Sequence, residues 1–341
     1  MSGRARHVER SFRLVNRARN ASGEAMINRD NRIVTVFGGG GFIGRYLCEE
    51  LFERELRVRV ACRNPRTAHF IQPLATVGQW GLERADVTNV ASVRRAVKDA
   101  GAVINLTGAF GRAMRSVHVE GARNVAEAAR DAGAASLVHI SAIGADPRAE
   151  AVYGRTKGEG EQAVRDAFPG ATIIRPSLVF GPEDDLTNRL AALSSLPVLP
   201  VIASKRQFQP VFVEDLAKAI AIAALDPATY GGQTFEIGGP QAMSMEDIYR
   251  VCARSAGREP ELLDMPNAAS AFLSWFGFLP GAPLSRDQWK MLQGDNMPGA
   301  GMKGLEAFGI EPTALGSVAP QWLVRFRPGG RWAARAVQQG A

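Results

Sequence analysis

Cysteines and long apolar runs are scarce in this sequence. The three cysteines lie far apart and form no Cys-x-x-Cys pair: Cys48, Cys62 and Cys252. This pattern argues against a disulfide framework and against a zinc site, and it suits a reducing compartment. No uninterrupted run of ~18 apolar residues occurs, so we predict no membrane-spanning helix.

Acidic residues are fewer than basic ones, 34 against 41, which gives a net charge of +7. Such a balance is compatible with nucleic acid, an anionic membrane or an acidic partner. The sequence contains no nucleic-acid-binding motif, so nucleic-acid binding is not expected. Much of the excess lies in residues 1–32, where eight arginines face three acids. We expect residues 1–31 to be a basic leader without regular structure; a targeting presequence and a start at Met26 are the alternatives.

Short apolar segments alternate with amphipathic ones through the first half of the chain. Strands are predicted at residues 33–37, 58–62, 79–85, 102–106, 136–140 and 172–174, and helices at 42–54, 117–132 and 154–167. This alternation predicts an α/β fold of the Rossmann type, a doubly wound parallel sheet with helices on both faces. We expect a dinucleotide-binding domain at residues 32–180. A smaller α/β lobe is expected at 181–341, interleaved with the sheet edge, with helices at 213–225 and 245–256.

Glycines at positions 38, 41 and 44 join the first predicted strand to the first helix. Gly38 can adopt the positive φ of a sharp turn, Gly41 leaves room for a diphosphate, and Gly44 allows close packing of helix on strand. The first amides of the helix, at Phe42 and Ile43, would bind the diphosphate. The pattern lies between a strand and a helix, and it therefore predicts a dinucleotide site.

The end of the second strand indicates which dinucleotide is bound. A site that prefers NAD usually has an acidic residue there, which accepts the ribose hydroxyls. This chain has Arg63, which could pair with a 2′-phosphate; the alternative is a solvated surface arginine. The sequence therefore favours NADPH over NADH.

Two further segments follow strands that border the expected cofactor path. Asp86 and Val87 follow the third strand, where such folds contact the adenine. Leu106, Thr107 and Gly108 end the fourth strand. We predict cofactor contacts at both segments, because the carboxyl ends of parallel strands form the binding crevice.

Three residues form a candidate proton-transfer set. Ser141 ends the fifth strand, and Tyr153 and Lys157 lie four residues apart on one face of the next helix. We expect the ammonium group to lower the phenol pKa and to hold a ribose, while the serine hydroxyl binds a carbonyl or alcohol. The alternative is a pair that holds the cofactor without turnover.

These residues resemble the short-chain dehydrogenase/reductase superfamily in its extended and atypical branches, which include the NAD-dependent epimerases and dehydratases. The resemblance covers about residues 32–250 and includes the segments at 175–182 and 210–216. It implies a cofactor contact at Pro176. It also allows a free-standing NADP-dependent reductase or epimerase of quinone or lipid metabolism, which would use Ser141, Tyr153 and Lys157.

Within that superfamily, residues 180–185 with Asn188, residues 209–211 and the segment 304–310 are similar to the nucleotide-binding accessory subunit of respiratory complex I. Its members hold NADPH as a structural ligand without evident catalysis. The resemblance implies complex I subunits as partners. It also implies a peripheral position on the inner, cytoplasmic face of the energy-transducing membrane.

Two departures argue against turnover rather than against cofactor binding. His118 stands where many catalytic relatives carry an asparagine, and the interval between Ser141 and Tyr153 is short. A histidine there need not maintain the same proton relay. A sensor that binds NADP(H) to regulate a partner is a third alternative.

An aromatic-rich stretch at residues 268–279 has two interpretations. It is either core of the smaller lobe or a docking surface for the membrane interface or a partner. Basic residues near it and in the tail would attract anionic lipid or an acidic subunit. The residues concerned are Phe272, Leu273, Trp275, Phe276, Phe278 and Leu279, with Arg286, Lys290, Arg325, Arg327, Arg331 and Arg335.

Overall fold

A computed structural model describes residues 33–274 and 285–330. The predicted leader at 1–31 lies outside the described residues. So do four members of the aromatic-rich stretch and two of the tail arginines: Trp275, Phe276, Phe278, Leu279, Arg331 and Arg335.

Short strands run through the whole described part of the chain. They are β1 (Ile33–Phe37), β2 (Arg57–Cys62), β3 (Trp80–Arg84), β4 (Ala102–Asn105), β5 (Ser136–Ile140), β6 (Thr172–Pro176), β7 (Val179–Phe180), β8 (Val198–Val201), β9 (Gln207–Phe208), β10 (Val211–Phe212), β11 (Thr234–Ile237), β12 (Met243–Ser244) and β13 (Glu261–Asp264). Seven of them form one parallel sheet in the order β11-β6-β5-β4-β1-β2-β3. The chain adds strands on one side of β1 and then returns to the other, so a topological switch point lies between β1 and β4.

The described part of the chain contains helices that cover the sheet and others that belong to its C-terminal half. They are α1 (Phe42–Glu53), α2 (Val90–Val97), α3 (Ala122–Asp131), α4 (Val152–Ala167), α5 (Asp185–Leu193), α6 (Val213–Leu225), α7 (Pro227–Tyr230), α8 (Met245–Ser255), α9 (Asn267–Ser274), α10 (Arg286–Met291), α11 (Leu315–Val318) and α12 (Pro320–Leu323). Short 3-10 segments lie at Pro65–Leu74, Gly111–Ala113, Leu305–Phe308 and Val324–Phe326. No helix within the described ranges has both the length and the apolar character needed to cross a bilayer.

Two apolar cores lie against the sheet, one on each face. The side chains of Val36, Val60 and Ile104 point to the face that α1 and α6 cover. Those of Phe37 and Leu137 point to the opposite face, which α2, α3 and α4 cover. The central strands β1, β4 and β5 are almost wholly buried, and most of their residues are apolar, as expected of strands covered on both faces. The polar exceptions, also buried, are Thr35, Asn105, Ser136 and His139. The predicted Rossmann-type fold is confirmed.

The C-terminal half forms a smaller lobe with its own core. Strand β7 pairs with β10, β9 with β12, and β8 with β13, so three two-stranded ladders replace a continuous sheet. Phe180, Phe212 and Trp322 lie at the centre of the lobe core with parts of α5 and α8. Residues beyond 180 also supply α6 and β11 to the large sheet. The domain boundary at residue 180 stays a prediction.

One predicted helix has an unexpected start. A π-helix at Ser116–Gly121 precedes α3, where the pattern predicted a continuous helix from residue 117. The main chain packs closely here: a Cβ on Gly160 of α4 would lie 2.0 Å from the His118 carbonyl oxygen. A wider turn brings this carbonyl against α4, and such bulges often occur at functional sites.

Candidate nucleotide-binding site

The turn between β1 and α1 fits tightly against the ends of β2 and β4. Gly38 has a φ of +78°, which favours glycine, and its N–H donates to the Ala61 carbonyl at 3.0 Å. A Cβ on Gly38 would lie 3.3 Å from the carbonyl carbon of Leu106 and 3.4 Å from the Thr107 nitrogen. The turn therefore lies directly beside the switch point.

Gly41 and Gly44 have different surroundings. Gly41 is exposed, and an added Cβ would meet only the Gly38 carbonyl oxygen, at 3.2 Å. A Cβ on Gly44 would lie 2.3 Å from the carbonyl oxygen of Gly39, so Gly44 is needed for packing. The first turn of α1 holds no acidic residue, and its amides, at Phe42 and Ile43, have no partner within the helix. This open, uncapped N-terminus suits a diphosphate.

Arg63 and Asp86 lie at the ends of β2 and β3, on neighbouring strands. Arg63 is exposed, and within the described ranges it makes no hydrogen bond or ion pair. Asp86 accepts hydrogen bonds from the Thr88 amide at 2.9 Å and the Thr88 hydroxyl at 2.8 Å. These bonds, with a smaller contribution from Arg63, lower the pKa of Asp86. Val87 is buried, and its carbonyl accepts a hydrogen bond from Asn124 at 2.9 Å.

The end of β4 is shaped by a buried asparagine. Asn105 Oδ1 accepts the Thr107 N–H at 3.1 Å and the Thr107 hydroxyl at 2.6 Å, which bends the chain after the strand. Leu106 is half-buried and Gly108 is exposed. A Cβ on Gly108 would lie 4.0 Å from Lys157 Nζ, so this loop reaches α4. Sequence reasoning missed Asn105, although Asn-x-Thr after a buried strand is a signal for such a turn.

Ser141, Tyr153 and Lys157 lie where β5 ends and α4 begins. The Ser141 hydroxyl is buried and has no hydrogen-bond partner among the described residues. Lys157 is buried as well; its Nζ donates to the Ile140 carbonyl at 3.0 Å and lies 6.0 Å from the centre of the Tyr153 ring.

The pKa values of this pair differ from the expectation. Burial raises the pKa of Tyr153 to about 12, and it lowers the pKa of Lys157 to about 8 against the opposing charge of Glu161. The Lys157 ammonium group is hydrogen-bonded to the main chain and not to the phenol, and it does not offset the effect of burial on Tyr153. The proton-transfer role of the pair stays a prediction.

His118 is held as a neutral side chain. Its Nε2 accepts the Ala109 N–H at 3.0 Å, so Nδ1 carries the proton and donates to the Thr156 hydroxyl at 2.9 Å. That hydroxyl donates in turn to the Tyr153 carbonyl at 3.1 Å. Burial, with the nearby Lys157 charge, lowers the pKa of His118 to about 4. Both ring nitrogens have partners, so His118 stabilises the loop and α4.

Two contacts around Tyr153 have no signal in the sequence. The Phe110 ring stacks on the Tyr153 ring, with centroids 5.1 Å apart and planes inclined by 13°. Asp287, on α10, accepts the main-chain N–H groups of Val152 and Tyr153. Both contacts form only in the folded chain, because Phe110 and Asp287 are far from Tyr153 in sequence.

The residues present fit a nicotinamide dinucleotide. Three features lie at the carboxyl edge of the sheet: the uncapped turn at Gly41, the Ser141 hydroxyl, which no described residue bonds, and the buried cation of Lys157. Pro176 ends β6 at that edge, buried, with its carbonyl accepting the Ile143 N–H at 3.2 Å. Within the described residues, no group of three or more His, Cys, Asp or Glu side chains is placed to bind a metal.

The sheet order and the glycine turn at its switch point define a nucleotide-binding α/β protein. The chain belongs to the NAD dependent epimerase/dehydratase family, whose model matches residues 34–238.

Relatives of this chain include a respiratory subunit and an enzyme. The mitochondrial NADH-ubiquinone oxidoreductase 40 kDa subunit of Neurospora crassa is 27% identical over 317 residues, 91% of this chain and 83% of that protein. A ceramide reductase of Caulobacter vibrioides is 30% identical over 243 residues, 69% of this chain and 74% of that protein. The NADPH-dependent quinone oxidoreductase of Escherichia coli, crystallised with NADPH, is 18% identical with a TM-score of 0.67, over 84% of this chain and 99% of that one. The last likeness is one of fold.

Proposed function

We propose that this protein is an NADPH-binding accessory subunit of a complex I-type NADH:ubiquinone oxidoreductase, in which the nucleotide is mainly structural. The similarity to the Neurospora crassa respiratory subunit carries the proposal, because it spans 91% of the chain and continues past the family match at 34–238. The segment at 304–310 belongs to this extension, and its Leu305 and Phe308 pack into the main core.

Named residues would hold the nucleotide. The amides that follow Gly41 would bind the diphosphate, and Arg63 would pair with the 2′-phosphate. Lys157 would hold the ribose beside the nicotinamide, and Ser141 would bind at the nicotinamide end. When bound, NADPH supplies a hydride. Arg63, exposed and unpaired in the described ranges, supports NADPH over NADH.

Proton transfer is poorly supported by these side chains. A phenol with a pKa of about 12 is a weak acid at neutral pH, and no described cation is bonded to it. His118 is neutral and engaged at both nitrogens. These observations give no positive support to proton transfer by this pair, and they are compatible with a site that holds its nucleotide.

We place the protein on the cytoplasmic face of the energy-transducing membrane, bound to complex I subunits. The similarity to the Neurospora crassa subunit of the NADH-ubiquinone oxidoreductase supports the complex I partners. The cytoplasmic face follows only from the proposed role. Contact with the membrane surface itself is a further part of the proposal. It is supported by exposed apolar side chains on α9 and α10, which pack against each other: Phe272 is 66% and Met291 38% exposed. Helix α10 also carries Arg286 and Lys290.

Co-purification tests the assembly. Membranes from a strain that carries the tagged protein are solubilised in mild detergent, and complex I is isolated. We expect the protein in the intact complex, carrying NADP(H). A protein that remains apart from complex I and oxidises NADPH with a carbonyl substrate would refute the proposal.

A free-standing NADP-dependent reductase or epimerase is the second candidate. The similarity to the ceramide reductase and the presence of Ser141, Tyr153 and Lys157 together favour it. Carbonyl-dependent NADPH oxidation that disappears in Tyr153→Phe would support this alternative.

A further inference from the structure

Asp287 caps the N-terminus of α4 from a distant part of the chain. Its Oδ1 accepts the Val152 N–H at 2.6 Å, and its Oδ2 accepts the Tyr153 N–H at 3.1 Å. Ala151, at the N-cap position of α4, has no side chain that can accept these bonds. A carboxylate also complements the positive end of the helix dipole. The first turn of α4 is thus held by a residue 134 positions away from Tyr153.

The helix that carries Asp287 is itself firmly placed. Ser285 and Gln288 form a capping box at the start of α10. Trp289 Nε1 donates to Asn267 Oδ1 at 3.2 Å, and Asn267 Nδ2 donates to Gln293 Oε1 at 3.0 Å. These bonds join α10 to the start of α9. A shift of the α9–α10 pair therefore moves the Asp287 carboxylate with it.

The same first turn of α4 carries side chains of the nucleotide site. The Tyr153 ring stacks on Phe110 and meets the His118 ring edge at a centroid distance of 5.4 Å. Lys157, one turn further along, holds the Ile140 carbonyl. A change at the Asp287 carboxylate is therefore transmitted to Tyr153 through two main-chain hydrogen bonds.

We propose that Asp287 is a positioning residue that couples the α9–α10 pair to the nucleotide site. This inference rests on the proposed binding of NADPH at Tyr153 and Lys157. Bound NADPH would reduce the motion of the first turn of α4. The hydrogen bonds of Asp287 to that turn would then reduce the motion of α10 as well. Such coupling is reciprocal. A partner that binds and orders the α9–α10 pair therefore increases the affinity for NADPH by the factor by which NADPH increases the affinity for that partner.

Hydrogen–deuterium exchange of the full chain, with and without NADPH, tests the coupling. In the wild type, we expect NADPH to slow exchange at residues 38–47 and 150–158, and also at 285–293, the segment that contains α10. In Asp287→Ala, protection at 38–47 remains, protection at 285–293 is lost, and NADPH binds roughly fivefold or more weakly. Asp287→Asn retains one acceptor oxygen and keeps part of the coupling.

Asp247→Ala is the matched control. Asp247 closes the capping box at the start of α8 with Ser244, so the variant also removes a carboxylate that accepts a main-chain N–H at the start of a helix. Helix α8 carries none of the nucleotide-site residues. Coupling should persist in it. Two results would overturn the coupling but leave the nucleotide site standing. The first is equal protection of 285–293 in Asp287→Ala and in the wild type. The second is a wild type in which NADPH protects 38–47 but not 285–293. Absence of protection at every segment would overturn the nucleotide site itself.

Discussion

Arg63 stands at the end of β2, exposed and beside Asp86, whose pKa it helps to lower. Under the proposed assignment, replacing it with alanine removes a charge-assisted pair with the 2′-phosphate of NADPH, which lowers the binding free energy by about 2 kcal/mol. We expect Arg63→Ala to weaken NADPH binding by at least roughly tenfold and to change NADH binding little, as measured by calorimetry. Arg66→Ala, three residues away and also exposed, is the matched control. Equal losses for both nucleotides would refute the phosphate assignment.

A substitution at Tyr153 distinguishes a site that only holds the nucleotide from a site that catalyses proton transfer. Its phenol has a pKa of about 12, and its ring contacts Phe110 and His118. Tyr153→Phe keeps the ring and removes only the hydroxyl. We therefore expect unchanged assembly with complex I and unchanged respiration, measured in membranes of the variant strain. Lost function in a variant that is still folded would contradict the accessory role.

At the scale of the element, the glycine turn must leave space for a diphosphate at Gly41 and must allow close packing at Gly44. Single substitutions can separate these two requirements. Gly41→Asp has room for its side chain but places a carboxylate beside the diphosphate position, so it should fold and lose nucleotide affinity. Gly44→Ala forces a Cβ against the Gly39 carbonyl, and it should destabilise the fold by about 2–3 kcal/mol. Urea unfolding and calorimetry distinguish the two effects. A neutral Gly41→Asn of similar size is the control for charge; if Gly41→Asp binds NADPH normally, the site lies elsewhere.

The regular elements were the most predictable part of the fold. Strands β1 and β5 and helix α6 have the predicted bounds, because each is a mainly apolar segment between clear breaks. The π-helix was not predictable, since it depends on close approach of the His118 carbonyl to Gly160 on another helix. Two of the three ladders in the smaller lobe were not predictable because their strands, β7, β9, β10 and β12, have two residues each and no periodicity.

The candidate site divides in the same way. Glycine spacing and the Tyr153–Lys157 interval can be read locally, because one turn or one helix face contains each of them. The pKa of Tyr153 could not be predicted from the sequence, because burial in the folded chain raises it. The cap by Asp287 could not be predicted either, because it joins residues that are far apart in sequence.

At the scale of the whole molecule, two buried histidines make stability depend on pH. Burial lowers the pKa of His139 to about 3 and that of His118 to about 4. Between these values and the unfolded value of about 6.5, the unfolded chain binds more protons, so stability is lost as the pH falls below 6.5. At pH 4.5 we expect a loss of about 2 kcal/mol for each histidine relative to pH 7.

Urea unfolding at pH 7 and pH 4.5 measures this loss. His139→Gln should unfold with a weaker pH dependence than the wild type, because the titrating group is gone. His69→Asn, at an exposed position in the Pro65–Leu74 segment, is the control and should follow the wild type. Equal pH dependence in His139→Gln and the wild type would contradict the assignment of the acid loss to this residue.

The central claim is that the amides after Gly41 hold an NADP(H) diphosphate in the assembled protein. Native mass spectrometry of freshly isolated full-length protein measures this directly, because it reports retained nucleotide together with associated subunits. We expect one NADP(H) per chain in the wild type and a bare polypeptide in Gly41→Asp. A wild-type chain that carries no nucleotide, and shows no heat of binding with NADPH by calorimetry, would contradict the account.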